Sequence, residues 1–179
     1  MKNPWTTLSR NTEYENPWIK VEEHQVINPA GNPGIYGTVQ FKNRAVAIVP
    51  LFENGDTLLV GQYRYPLQQY HWELPMGGAP YDELPLDCAR RELKEETGYS
   101  AEHWAELNHV HLSNSITQEE GFSFVAKGLT AGKMEPEETE QLEVRRLPFQ
   151  QALEMAMKGE ITDAMTVCAL FKARLDGLA

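Results

Sequence analysis

The sequence predicts an α/β sandwich, with helices on both faces of a mixed sheet and a β-hairpin ahead of it. Three observations lead there. Short apolar runs of strand character recur between Trp18 and Leu147, separated by turns rich in Asn, Pro and Gly. One central stretch, 83–97, changes to a helical period, and two further helical stretches close the chain. Strands interleaved with helices need a layered arrangement, because each element must bury its apolar face against another.

Taken in order, residues 1–16 are polar and turn-rich and read as an irregular arm. Residues 18–27 alternate as a strand, 28–34 form a loop of Asn, Pro and Gly, and 35–41 return as the second strand of a hairpin. Strands at 45–52 and 57–65 flank Asn54-Gly55, a pair suited to the positive φ angles of a tight hairpin turn. Their continuous apolar character predicts central positions buried on both faces. In the helix, Leu86, Ala89, Leu93 and Thr97 make one apolar stripe, and Gly98 stops it. Strands are expected at 105–112, 121–129 and 141–147, with an acidic loop at 135–140 before the last. Helices at 149–157 and about 161–175 follow, broken at Gly159.

The chain has 179 residues, 41% of them hydrophobic, which suits one well-filled domain. A net charge of −10 disfavours a long nucleic-acid partner, which demands a positive footprint. It does not disfavour a small anion, because local charge at a site outweighs net charge at a distance. No apolar run approaches the roughly 20 residues of a membrane span, and the first ten residues lack a signal-peptide core, so the expectation is a cytoplasmic protein without a membrane partner. Cys88 and Cys168 are expected as two buried, reduced thiols. His24, His71, His103, His109 and His111 show no mutual helical spacing, and none is assigned to metal.

The helix carries the chemistry. Glu92, Glu95 and Glu96 stand at i, i+3 and i+4, so they share a face. Like charges at that spacing repel by a few tenths of a kcal/mol per pair unless a cation sits among them. A hard divalent ion is the natural occupant, since magnesium takes oxygen ligands and bridges protein carboxylates to phosphates. Ordinary surface pairing with Arg91 and Lys94 is the competing explanation.

The flanking residues decide between the two. Gly77, Glu83, Arg91, Glu92, Leu93, Glu95, Glu96 and Gly98 fall at the spacing of the Nudix box, and this segment resembles that family's signature; Tyr99 departs only in being aromatic where an aliphatic residue is usual. The resemblance implies a Nudix-type α/β/α sandwich that hydrolyses a nucleoside diphosphate linked to another group. It implies Glu92 and Glu96 as metal ligands, Glu95 as a further ligand or water-binding group, and the backbone carbonyl of Met76 as the remaining ligand. Mg2+ is the implied cofactor, with Mn2+ as substitute. Glu83 and Arg91 are expected to brace the motif by a salt bridge, with Lys94 facing solvent.

Outside the box, the stretch from Gly61 to Gly78 resembles the ADP-ribose pyrophosphatase and nucleoside diphosphate sugar branch. There Arg64 matches an arginine that contacts substrate phosphate, against a structural ion pair as the alternative. Glu73 is either an outer ligand or a structural acid. The loop before the strand at 121–129 carries the general base in that branch, which points to Glu119, with Glu120 the near alternative. Ser113-Asn114-Ser115 replaces a Ser-Pro-Gly turn, which widens the expected substrates from ADP-ribose to sugars such as GDP-mannose. The hairpin at about 18–41 resembles an exchanged arm by which this branch forms homodimers whose copies complete each other's base pocket; with the arm before it, it makes up residues 1–43, part of the same domain as the Nudix hydrolase segment at 44–179. Trp5, Trp18 and Tyr36 are candidates for stacking on a base, or for the core. A silent nucleotide-sugar sensor and a triphosphate-cleansing enzyme are the alternatives; every box acid is present, which disfavours the first.

Overall fold

The computed structural model describes residues 2–135 and 141–179. Of the expected acidic loop at 135–140, all but Glu135 lies outside the described residues.

The N-terminal segment is a three-stranded antiparallel sheet of β1 (Thr6–Glu15), β2 (Ile19–Ile27) and β3 (Pro33–Phe41) in that order. The hairpin of β2 and β3 is as expected, but the irregular arm is a strand. Every residue of β1 is exposed, so it carries no inward-facing apolar alternation to read from sequence. Backbone pairing from Thr6↔Ile27 to Glu15↔Lys20 holds it instead.

The rest of the chain builds two sheets where one was expected. β4 (Asn43–Pro50), β7 (Met76–Pro80), β8 (Tyr99–His111) and β9 (Glu120–Ala131) form a mixed sheet ordered β7-β4-β9-β8, in which only β4 and β9 run parallel. β5 (Asp56–Arg64), β6 (Gln69–Glu73) and β10 (Glu143–Pro148) form a second sheet ordered β10-β5-β6. The short strands β6 and β7 are not among the strands expected from the sequence, and they hold or border Pro75, Gly77, Gly78 and Pro80. Both are sheet edges, where one ladder suffices and such residues are tolerated.

Helix α1 (Pro85–Thr97) covers one face of the mixed sheet; α3 (Ala164–Leu175) covers the other, and α2 (Phe149–Met157) packs beside α3 against β5 and β10. Alternation along β4 assigns the layers: Val46 and Ile48 pack with Cys88, Ala89 and Leu93, while Val49 packs with Phe149, Leu153 and Leu170. Truncating Leu93, fully buried in the first layer, costs about 2 to 5 kcal/mol. At the C-terminus of α1, Gly98 sits at φ +74° and donates to the Lys94 carbonyl at 2.8 Å. Helix α3 starts later than the expected 161 because Asp163 caps it, accepting from the Thr166 amide at 2.7 Å. Cys88 is buried, but Cys168 is exposed, since the inward stripe of α3 is Met165, Ala169, Leu170 and Ala173. No described helix is long and apolar enough to cross a membrane.

Candidate active site

Helix α1 presents two adjacent rows to the protein interior. Ala89, Leu93 and Thr97 are one; Cys88, Glu92 and Glu96 are the other. Two of the three acids therefore lie inward beside the apolar stripe, with Glu92 7% and Glu96 1% exposed, while Glu95 is half-buried. Burying a carboxylate costs several kcal/mol unless charge and hydrogen bonds compensate it.

Strand β7 makes that burial feasible. Its Met76 amide donates to Glu96 Oε2 at 2.9 Å, and at Gly77 a β-carbon would lie 2.0 Å from the Glu92 carboxyl carbon. Only a residue without a side chain leaves Glu92 its place.

Arg91 supplies the resident positive charge. Its Nε donates to Glu83 Oε1 at 3.1 Å and its Nη2 to Glu83 Oε2 at 3.0 Å, the expected brace. Its Nη1 reaches Glu92 at 2.6 Å and Glu95 at 2.9 Å, and its Nη2 also donates to the Gly78 carbonyl at 3.3 Å. The Glu83 hydrogen bonds, then the charge of Glu92 and the hydrogen bonds to Glu92 and Glu95, raise its pKa against burial, so it stays a cation. Burial and the Glu92 charge push the Cys88 thiol up to about 12. Lys94 faces outward, with Glu135 3.7 Å away.

A second group of charged residues gathers where β5, β6 and α3 meet. Arg64 Nε donates to both oxygens of the buried Glu73, at 3.1 and 3.0 Å, and its Nη2 adds a further bond to Oε2. Burial works against the charge of Arg64, but Glu73, Asp163 and Glu96 outweigh it and raise the pKa. Arg64, Glu73 and Asp163, with Pro66, Leu67, His71 and Thr162, border a cavity of about 310 Å³. Asp163 was missed from the sequence; "Thr162-Asp163" before an apolar helical run is a capping signal, but nothing in its spacing points to Arg64.

The two loop acids diverge, as consecutive residues entering a strand must. Glu119 is partly buried, and its pKa is raised by burial and then by the charge of Asp163. Glu120 turns toward β8, 3.7 Å from both Arg44 Nε and His109 Nε2. The loop carrying Glu119 is held by the N-terminal sheet: Val39 N donates to the Ile116 carbonyl at 2.9 Å, and Gln118 Nε2 to the Phe41 carbonyl at 2.9 Å. Tyr36 joins this contact, its hydroxyl donating to the Ser115 carbonyl at 2.5 Å and its ring meeting Trp5 edge-on at 5.2 Å. Trp18 is not gathered in; it stands 67% exposed.

The residues present fit a hard divalent cation. Glu92, Glu95 and Glu96 offer carboxylate oxygens from one helix, the missing side chain at Gly77 makes room for the Glu92 carboxylate, and the Met76 peptide borders Glu96.

Residues 41–167 match the family described as the NUDIX domain, and residues 5–39 match the nucleoside diphosphate sugar hydrolase N-terminal domain. The chain is 33% identical over 128 residues to the ADP-ribose pyrophosphatase of Bacillus subtilis (strain 168), covering 70% of this chain and 69% of that one. It is 33% identical over 166 residues to the methanol dehydrogenase activator of Bacillus methanolicus, covering 92% and 89%. A crystal structure of an ADP compounds hydrolase matches with a TM-score of 0.87 at 25% identity, over 98% of this chain and 96% of that one.

Proposed function

The chain belongs to the Nudix family, and on that premise we propose that it hydrolyses nucleoside diphosphate sugars, splitting the pyrophosphate bond into a nucleoside monophosphate and a sugar phosphate. The observation that carries this reading is the burial of Glu92 and Glu96 against Gly77 and Met76. Paired inward carboxylates are a stability cost that a cation-dependent reaction explains.

The site takes a divalent metal, here read as Mg2+ with Mn2+ as substitute, held by Glu92, Glu95, Glu96 and the Met76 carbonyl. When bound, such an ion draws negative charge from the two phosphates and so eases attack on phosphorus. Arg64 donates to a phosphate oxygen, because a guanidinium matches that geometry with two donors, and Glu73 aims it by holding the other side of the fork. Glu119 takes the proton of the attacking water. Its raised pKa makes it a stronger base than an ordinary glutamate, and the charge of Asp163 acts on it, whereas Glu120 is engaged by Arg44 and His109.

ADP-ribose is the first substrate in this reading, and the Ser113-Asn114-Ser115 turn extends it to GDP-mannose. The N-terminal sheet, with residues 1–43, serves as a homodimer arm ahead of the hydrolase domain at 44–179. Leu8, Tyr14, Trp18 and Ile35 are exposed on it, and a second copy would cover them. Trp18 and Tyr36 would then border a base pocket.

A panel of ADP-ribose, GDP-mannose, other nucleotide sugars, dinucleotides and triphosphates, assayed with Mg2+ for monophosphate release, tests the reading. Turnover on triphosphates alone would overturn it. Absence of turnover on every member would return the silent sensor.

A further inference from the structure

We infer that His109, His111 and Glu120 form a second metal site, one that takes an imidazole-preferring divalent ion of the Zn2+ class. His109 and His111 stand two apart on β8, so both side chains leave the same face of the strand. Helical spacing, under which no histidine finds a partner, is the wrong period for them. The ladder sets His111 opposite Glu120 on β9, which brings the carboxylate beside both rings.

One ligand atom from each residue lies within 4.8 Å of the other two, and His109 Nε2 is 3.7 Å from Glu120 Oε1. A tetrahedral ion with bonds of about 2.0 to 2.2 Å holds its ligand atoms roughly 3.4 Å apart, so side-chain rotations of about 1 Å close the set. Two features prepare it. The His109 ring is stacked on Phe122, 4.4 Å between centroids and 4° between planes, which fixes its orientation. Arg44 approaches Glu120 on Oε2, leaving Oε1 to the imidazoles.

Two imidazole nitrogens and one carboxylate, with a further position open to solvent, suit zinc-class ions, whereas Mg2+ seeks oxygen alone. The set shares no residue with Glu92, Glu95 and Glu96. Because Glu120 directly follows Glu119, an ion held here tethers the end of the loop that carries the base.

The test uses the untagged full chain in excess Mg2+. Zn2+ is titrated against a chromophoric chelator, and Co2+ is followed by its visible absorption. About one Zn2+ per chain is expected. His109→Gln and His111→Gln should each weaken it at least about tenfold, since losing a ligand outweighs losing a residue that only orients one. Glu96→Gln should leave it in place. No Zn2+ uptake in excess Mg2+, uptake unchanged in the double histidine variant, or uptake lost in Glu96→Gln would each overturn the proposal. Should His109→Gln misfold through its lost stack on Phe122, the exposed His111→Gln decides alone.

Discussion

Arg91 grips Glu83 through two parallel hydrogen bonds, and in doing so pins the loop that follows Gly77 and Gly78 to the helix that carries Glu92, Glu95 and Glu96. The remaining nitrogen of the same fork bridges Glu92 and Glu95. One planar cation thus organises three carboxylates, counting Glu83, and no point charge can reproduce that geometry.

Arg91→Lys is therefore expected to destabilise the protein by about 2 kcal/mol, since hydrogen bonds to charged groups contribute about 1.5 to 3 kcal/mol. For a chain of this size that lowers Tm by roughly 4 to 8 °C, readable by thermal denaturation. Lys94→Ala, whose partner Glu135 is 3.7 Å away in solvent, should move stability by less than about 0.5 kcal/mol. Equal effects from the two would contradict the bracing role.

Gly77→Ala separates folding from function. The added carbon meets the end of the flexible Glu92 side chain and not backbone, so the fold should tolerate it. Displacing the Glu92 carboxylate should weaken metal affinity about 10 to 100-fold, the range for disturbing a ligand's support. Mg2+ titration of activity together with circular dichroism checks both halves; unchanged Mg2+ dependence would show that Glu92 is not held there for metal.

Chelation with EDTA should abolish turnover and added Mg2+ or Mn2+ should restore it. Glu96→Gln, a near-isosteric change at a buried position, should prevent that restoration while the far-ultraviolet spectrum stays native. Full activity in this variant would remove Glu96 from the ligand set.

The base assignment predicts unequal losses. Glu119→Gln should lower kcat by about 10² to 10⁴, the usual contribution of a general base, and the loss from Glu120→Gln should be much smaller. The reverse order would move the base to Glu120.

Thiol titration gives an independent check on the packing of α1. The Cys88 thiol, pushed up to about 12 by burial and by Glu92, is almost wholly protonated near pH 8 and so unreactive there, because the thiolate is the nucleophile. Ellman's reagent should count one thiol in the native protein, the exposed Cys168, and two after denaturation. Two fast thiols in the native state would mean that the helix is not seated on β4 and β7.

Much of the protein was legible in its residues. The apolar runs that became β4 and β5, the Asn54-Gly55 turn, the hairpin of β2 and β3 and the three helices all announce themselves through period and turn chemistry. So does the box, because helix geometry alone puts Glu92, Glu95 and Glu96 together, and local spacing is what a sequence records. The strands that went unread, β1, β6 and β7, are an exposed ribbon and two edges, where pairing replaces the burial that writes an alternating pattern.

What the sequence determined by itself is the family, the class of reaction and the acids of one helix, since these rest on spacing within a single element. Only the tertiary structure decided which acids face inward, that Glu120 pairs with Arg44 and His109, that Asp163 joins Arg64, and that two histidines on β8 meet a glutamate of β9. Those relations cross between elements that lie far apart in the chain, and packing and strand register, not spacing, bring their side chains within reach.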